Sequence, residues 1–147
     1  MKVDHIEHIG IAVSNLEEAI KFYEEALGLK CYAIEEVAEQ KVRTAFFKVG
    51  QTKIELLEST APDGPIGKFI EKKGQGIQHM AFAVKDLPAQ LKDAEEKGVM
   101  LIDKTPRHGA EGLNIAFLHP KSTFGVLTEL CENPNEGSCG CKSCDCE

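Results

Sequence analysis

The sequence predicts an α+β fold made of two tandem modules, each with the element order β-α-β-β-β. The first observation is an internal repeat, in which HIGIAVSNL at 8–16 aligns with HMAFAVKDL at 79–87 at an offset of 71 residues. The same offset aligns TAFFK at 44–48 with IAFLH at 115–119. Near the end of each half the offset becomes 74, where IELLE at 54–58 aligns with TELCE at 128–132. We therefore expect three extra residues in a hairpin turn of the second half.

The repeat also sets the expected organisation of the chain. Module 1 covers about residues 4–58, a connector covers 59–74, and module 2 covers about 75–132. Apolar stretches at about 5–13 and 76–84 are the expected first strands of the two modules. Residues 133–147 hold no large apolar side chain, so we expect a disordered cysteine-rich tail that stays outside the core.

Each module contains one long helix with recognisable ends. In module 1, Ser14 and Glu17 have the spacing of a capping box, and Gly28 is placed to end the helix. In module 2, Asp86 is the expected cap and Gly98 the expected end. The connector should carry a short helix beginning near Pro65. The apolar residues of these helices have core spacing.

Composition excludes several classes of function. The chain has 147 residues, 42% of them hydrophobic, which is enough for one folded core. With a formal net charge of -7, the chain has no positive electrostatic field that would attract nucleic acid or anionic lipid. No segment is a transmembrane candidate, and MKVDHIEHIG lacks the regions of a signal peptide, so we expect a cytoplasmic protein without nucleic-acid or membrane partners.

Two histidines and two glutamates repeat with the modules. His8 aligns with His79 and Glu55 with Glu129, and both glutamates lie in otherwise apolar strands. A single histidine or glutamate in a strand is usually structural, but paired repetition favours a shared site. Two imidazoles and two carboxylates suit an octahedral divalent ion with open positions for substrate. The neighbouring Glu7 aligns with Gln78 rather than with another potential ligand.

These residues resemble those of the vicinal oxygen chelate superfamily over about residues 4–132. The resemblance implies a curved mixed sheet around a metal cleft, with His8, Glu55, His79 and Glu129 as the ligands. Within the superfamily, HPKSTFGVLTEL at 119–130 is similar to the corresponding stretch of methylmalonyl-CoA epimerases. KIELLEST at 53–60, DGPIGKFIEKKGQGIQHMAFAV at 63–84 and GLNIAFLHP at 112–120 agree in order and spacing.

The epimerase resemblance implies interconversion of (R)- and (S)-methylmalonyl-CoA by proton transfer at C2, through a metal-stabilised enolate, in propionate metabolism. The implied cofactor is one divalent ion, Co2+ in first place and Mn2+, Ni2+ or Zn2+ as alternatives, in a homodimer. Glu129 and Glu55 are the candidate catalytic carboxylates. Some epimerases have Gln at the position of Glu55, and a Glu in the third strand serves as the base. This sequence has Thr44 at the position of that Glu.

Other interpretations stay open. The same four ligands are typical of glyoxalase I, and the superfamily also contains non-catalytic ligand-binding proteins. A CoA substrate needs cations for its phosphates, and the candidates are Lys41, Arg43 and Lys121, with Lys53 and Arg107 as further options.

The cysteine-rich tail offers a separate site. Cys139, Cys141, Cys144 and Cys146 could bind a soft ion such as Zn2+ or Cu+. In that case the chain could be a metal-handling protein.

Overall fold

A computed structural model describes residues 1–135, so the four candidate cysteine ligands of the tail lie outside the described residues. The described residues divide into two compact units, one of residues Ile6–Ala81 and one of Met1–His5 with residues 82–135. No helix among the described residues is long and apolar enough to cross a membrane.

The element order agrees with the predicted repeat. The strands are β1 (His5–Ala12), β2 (Cys31–Val37), β3 (Val42–Val49), β4 (Thr52–Ser59), β5 (Gly76–Ala83), β6 (Arg107–His108), β7 (Asn114–Leu118) and β8 (Thr128–Glu132). The α-helices are α1 (Leu16–Glu25), α2 (Pro65–Lys73) and α3 (Leu87–Glu96). Two short 3-10 helices cover Ala38–Gln40 and Ala110–Gly112. The predicted α+β fold with two β-α-β-β-β modules is confirmed.

The unit of residues 6–81 is a mixed sheet with the strand order β2-β3-β4-β1-β5. β1 runs parallel to β4, while β3 is antiparallel to both β2 and β4. Side chains alternate between the two faces of each strand. On one face Ala45, Phe47 and Leu56 pack with Leu16 of α1. The opposite face packs Leu57 against α2 and also carries the odd-numbered Glu55 of the same strand.

The start of α1 differs from the prediction. Its N-cap is Asn15, whose side chain accepts a hydrogen bond from the Glu18 backbone N–H at 3.0 Å. The expected cap, Ser14, instead donates its backbone N–H to Gln75. The stretch SNLEE contains two overlapping capping frames, and Asn15, with extended backbone angles, has the position from which a cap can reach the first turn.

The other unit contains α3 and the antiparallel strands β8-β7-β6. Asp86 caps α3 as predicted, because its side chain accepts from the Ala89 N–H. Leu87, Leu91 and Ala94 are the buried residues of this helix. Residues 119–127 connect β7 to β8, whereas Gly50 and Gln51 alone connect β3 to β4. The second connection is longer by seven residues: three are the expected insertion, and four arise because β7 ends two residues early and β8 begins two residues late relative to the repeat.

The second module has a shortened third element. The sequence predicts three strands after α3, but β6 contains only Arg107 and His108. Upstream of it, the N–H groups of Ile102 and Asp103 both donate to Phe117 O, and the Asp103 carboxylate accepts from Phe117 N–H. These side-chain and shared bonds replace a regular ladder, and Pro106 has no N–H to extend it.

A glutamate near the end of the last strand of each module accepts hydrogen bonds at the start of the helix of the same module. The Glu58 carboxylate accepts the Leu16 N–H at the start of α1 at 2.9 Å. In the second module, Glu132 accepts the N–H groups of Asp86 and Leu87 at 3.0 and 2.9 Å. Both carboxylates thus satisfy N–H groups that have no partner within the helix, where the helix dipole favours negative charge.

Candidate metal centre

Three buried side chains of potential metal ligands meet in the unit of residues 6–81. His8 lies on β1, Glu55 on β4 and His79 on β5, with exposed fractions of 3%, 5% and 7%. One ligand atom from each lies within 4.8 Å of the others. In the parallel pairing of β1 with β4, Glu55 is level with Gly10, two residues beyond His8 on the same face. The repeat of β1 in β5 brings the second histidine to this face.

The two imidazole rings approach through their Nε2 atoms. His8 Nε2 and His79 Nε2 are 3.0 Å apart, and the rings are almost perpendicular at 88°. A carboxylate oxygen of Glu55 lies 3.3 Å from His8 Nδ1. The cluster therefore combines two nitrogen donors with an oxygen donor in a site with little exposure to solvent.

The Nδ1 atom of each histidine has a hydrogen-bond partner in the side chain of the preceding residue. His8 Nδ1 is 2.5 Å from Glu7 Oε1, and His79 Nδ1 is 2.6 Å from Gln78 Oε1. A carboxylate or amide oxygen only accepts, so the hydrogen of each neutral ring lies on Nδ1. The two Nε2 atoms face each other across 3.0 Å.

Glu7 is itself held by a lysine. Lys53 Nζ lies 2.6 Å from Glu7 Oε2, and Lys53 is 9% exposed. Burial raises the pKa of Glu7, but the hydrogen bonds from His8 and Lys53 outweigh it and keep the pKa below its usual value. Glu7 is thus a carboxylate whose two oxygens are both engaged, one with the ring and one with the ammonium.

Gly10 makes room for the second histidine. A Cβ atom at this position would lie 2.2 Å from His79 Cε1 and 2.5 Å from His79 Nδ1. These distances are far inside van der Waals contact, so the imidazole occupies the volume of the missing side chain. The IGI sequence in β1 is therefore part of the site.

The donor set fits a divalent cation. Two nitrogens that each bind one ion at about 2.1 Å and at a right angle are about 3.0 Å apart, which is the separation expected of neighbouring octahedral ligands. The observed Nε2 separation has this value. Two imidazole nitrogens beside a carboxylate also provide the electron-pair donors that a buried cation needs. His8, His79 and Glu55 could hold such an ion.

The fourth predicted ligand occupies the equivalent position of the second module. Glu129 is 3% exposed and lies on β8 opposite Phe117 of β7. Glu55 lies on β4 opposite Phe46 of β3 in the same way. The change in offset from 71 to 74 thus keeps the two glutamates at matching places in their hairpins.

Thr44, the residue aligned with the base of some epimerases, is also on the Glu55 face. It is 2% exposed and pairs with Leu57, so it lies diagonally across from Glu55 on adjacent strands. Same-face diagonal neighbours are separated by about 7–8 Å. The position that the resemblance aligns with a base thus carries a hydroxyl in this chain.

The predicted phosphate-binding cations have carboxylate partners or lie on the surface. Arg43 bonds Glu58 at 3.0 Å and Glu17 at 2.6 Å on the α1 face of the sheet, opposite to Glu55. Lys41 pairs with Asp63. Lys121 is exposed in the β7–β8 connection.

The two further options among the cations are paired as well. Lys53 contacts Glu7 in the cluster, and Arg107 lies 3.3 Å from Asp103.

Four further residues are functional candidates that the sequence did not assign to the site: Glu7, Gln78, Lys53 and Gly10. A signal for the first two was present, since Glu7 aligns with Gln78 one residue before each aligned histidine. Both can accept a hydrogen bond from the ring that follows. Lys53 and Gly10 have no comparable signal, because their roles depend on contacts between strands.

Comparison with known proteins agrees with this site and fold. The family model described as "Glyoxalase/Bleomycin resistance protein/Dioxygenase superfamily" matches residues 7–117. The chain is 48% identical to the uncharacterized Bacillus subtilis protein YqjC, covering 88% of this chain and 93% of that one. It is 35% identical to the ethylmalonyl-CoA/methylmalonyl-CoA epimerase of Cereibacter sphaeroides, covering 87% and 97%.

A solved structure agrees over the same region. A methylmalonyl-CoA epimerase in complex with methylmalonyl-CoA and NH4+ superposes with a TM-score of 0.87 at 38% identity, covering 90% of this chain and 96% of that one. The predicted resemblance is confirmed, and the chain belongs to the glyoxalase/bleomycin resistance protein/dioxygenase superfamily and, within it, to the methylmalonyl-CoA epimerase family.

Proposed function

We propose that this protein interconverts (R)- and (S)-methylmalonyl-CoA by proton transfer at C2. The observation that carries the proposal is the buried cluster of His8, Glu55 and His79, in a chain 38% identical to an epimerase that binds methylmalonyl-CoA. Two imidazoles and a carboxylate with little solvent exposure would hold a divalent ion, whose positive charge suits a reaction in which negative charge develops on substrate oxygens.

The reaction needs a base and an acid on opposite faces of C2. The C2 hydrogen lies between a thioester carbonyl and a carboxylate, so its removal leaves an enolate whose charge rests on oxygen. A divalent ion held by His8, Glu55, His79 and Glu129 would supply positive charge beside those oxygens. Return of a proton to the other face of C2 then gives the opposite epimer.

Glu55 and Glu129 are the proposed proton-transfer groups. Each is a buried carboxylate at the same place in its hairpin, opposite Phe46 and Phe117 respectively. In this proposal one carboxylate accepts the C2 proton and the other donates a proton to the opposite face. The repeat supports the assignment, because matching positions in two related modules can address two faces of one substrate.

Thr44 makes the role of Glu55 more important. A threonine hydroxyl is too weak a base at neutral pH to remove a carbon-bound proton, so the third-strand position cannot act as it does in some epimerases. Glu55 is on the same face and diagonally adjacent to Thr44, and it is the carboxylate available nearby. We propose that Glu55 has taken over the function of the third-strand base.

The test is deuterium incorporation at C2 of methylmalonyl-CoA in D2O, with chelator-stripped protein before and after addition of Co2+. We expect exchange that depends on the metal and is lost in Glu129→Gln and in Glu55→Gln. The double variant Thr44→Glu/Glu55→Gln should recover exchange, because it places the carboxylate on the third strand and an amide at position 55. No exchange with any divalent ion would refute the epimerase assignment.

A second assay on the wild-type protein separates the alternative function. The ligand set His8, Glu55, His79 and Glu129 also fits a glyoxalase I, whose substrate is the hemithioacetal of methylglyoxal and glutathione. Formation of lactoylglutathione by wild-type protein, without exchange at C2 of methylmalonyl-CoA, would assign that reaction instead. A matched control is Glu25→Gln, which removes a carboxylate from the exposed end of α1 and should leave exchange unchanged.

The remaining features of the proposal concern cofactor, substrate contacts and assembly. We propose Co2+ as the ion, with Mn2+, Ni2+ and Zn2+ as alternatives for the same donors. Lys121 is the candidate contact for the CoA phosphates, while Lys41 and Arg43 could contribute only by exchanging their carboxylate partners. A cytoplasmic homodimer is the proposed form of the protein.

A further inference from the structure

We propose that Glu7 and Gln78 are positioning residues that fix the tautomers of His8 and His79, so that both Nε2 lone pairs point into the candidate metal centre. This inference concerns residues outside the four proposed ligands. It rests on the proposed function only in that the centre is taken to bind a divalent ion.

The geometry of the two modules is the same at this point although the residues differ. In each case the side chain just before the histidine bends back to the Nδ1 atom of that ring, at 2.5 Å from Glu7 and 2.6 Å from Gln78. Successive side chains of a strand leave from opposite sides, so this contact is not a default of strand geometry. Its occurrence in both modules indicates a common function.

That function follows from the chemistry of the acceptors. A neutral imidazole has one N–H and one lone pair, and the partner of one nitrogen decides which nitrogen keeps the hydrogen. An oxygen acceptor at Nδ1 holds the hydrogen there, so that the lone pair lies on Nε2, where a metal ion can bind. The carboxylate of Glu7 and the amide of Gln78 each provide such an acceptor oxygen. Two different residues can therefore have the same role beside equivalent histidines.

Lys53 accounts for the difference between the two acceptors. An unpaired carboxylate beside a buried ring would be costly, and the Lys53 ammonium 2.6 Å from Glu7 Oε2 compensates its charge. The position equivalent to Lys53 in the second module is Leu127, and the acceptor there is the neutral Gln78. Charge is therefore balanced in both modules, by an ion pair in one and by an amide in the other.

The test exchanges and removes the two acceptors. The variants are Glu7→Gln and Gln78→Glu, which keep an acceptor oxygen, and Glu7→Leu and Gln78→Leu, which remove it. Glu25→Leu on the exposed end of α1 is the matched control for replacing a carboxylate by leucine. Two quantities are measured on each protein: the imidazole 15N–1H correlations of the metal-free form, which identify the protonated nitrogen, and the Co2+ dissociation constant by competition with a chromophoric chelator.

We expect Nδ1–H on both rings in the wild type and in Glu7→Gln. Gln78→Leu should lose this single tautomer on His79 only. Glu7→Leu should weaken it on His8 without abolishing it, because a Glu55 oxygen also lies 3.3 Å from His8 Nδ1. Both leucine variants should bind Co2+ about 10–100-fold more weakly. A Gln78→Leu protein that keeps only Nδ1–H on His79, or leucine variants that bind Co2+ as Glu25→Leu does, would overturn the inference. If Glu7→Leu fails to fold because the ion pair between Lys53 and Glu7 is lost, Gln78→Leu carries the test, since it removes no charge.

The outcome is independent of the epimerase proposal. Altered tautomers and weaker Co2+ binding in the leucine variants, with no C2 exchange in the wild type, would support the positioning roles and refute the epimerase. C2 exchange in the wild type with unchanged leucine variants would refute the positioning roles and leave the epimerase standing.

Discussion

Replacement of Gly10 by alanine should damage the candidate metal centre through one specific collision. The new Cβ would lie 2.2 Å from His79 Cε1, whereas ordinary contact begins at 3.4 Å. The imidazole must therefore retreat by about 1.2 Å or the strand must shift. Overpacking of this kind costs about 1–3 kcal/mol of the free energy of unfolding. The 3.0 Å spacing of the two Nε2 atoms would be lost with it.

Two measurements test this prediction. Urea unfolding of metal-free protein gives the stability cost, and chelator competition gives the Co2+ dissociation constant. We expect Gly10→Ala to weaken Co2+ binding at least about tenfold, the lower end of the effect of losing an orienting partner. Gly109→Ala is the control, because its Cβ would lie 2.7 Å from Ile115 Cγ2, away from the histidines. It should lower stability and leave Co2+ binding unchanged.

A double-mutant cycle identifies the partner in the collision. In a His79→Ala background the ring is absent, so the added methyl group at position 10 should cost much less than in the wild type. Equal costs of Gly10→Ala in the two backgrounds would show that the strand itself, and not the imidazole, resists the substitution. That result would refute the reasoning.

Three further predictions concern the ion, a helix end and an ion pair. Co2+ at about 100 times its dissociation constant should raise the free energy of unfolding by about 2.7 kcal/mol, and His8→Ala should abolish the rise in a thermal scan. Glu132→Ala should cost about 1–2 kcal/mol in urea unfolding and increase hydrogen exchange at the Leu87 amide, because the start of α3 loses its acceptor; unchanged exchange would contradict this. The hydrogen bond from Arg43 lowers the pKa of Glu17, so Arg43→Met should raise that pKa in an NMR titration. The variant should be less stable than the wild type above pH 4.5, and this difference in the free energy of unfolding should vanish as the pH falls through the lowered pKa.

The repeat made much of the site predictable from sequence. Aligning the two halves paired His8 with His79 and Glu55 with Glu129, and the structure brings the first three of these ligand-type residues together. The first strands, the Asp86 cap and the connector helix follow from patterns with a local physical cause. Such features need only short stretches of sequence, because alternation, capping and turn formation act over a few residues.

Other features depend on distant contacts and could not be predicted in this way. Nothing in the sequence around Gly10 shows that an imidazole from another strand fills its missing side chain. Arg43 bonds the carboxylates of Glu17 and Glu58, and these two residues lie on different elements. The shift of the α1 cap from Ser14 to Asn15 had a local cause, but two overlapping capping frames satisfied the same rule.

The last strand of each module carries two glutamates three residues apart, and this spacing ties the register of the strand to both faces of the sheet. On β4, Glu55 belongs to the face of the histidines, while Glu58 reaches the first turn of α1 on the other face. Glu129 and Glu132 have the same spacing on β8. A slip of one residue would carry Glu55 to the helix side and withdraw Glu58 from the Leu16 amide, so both errors would occur together. The hydrogen bond between Glu58 and Leu16 on one face of β4 thus helps to fix the position of Glu55 on the other face.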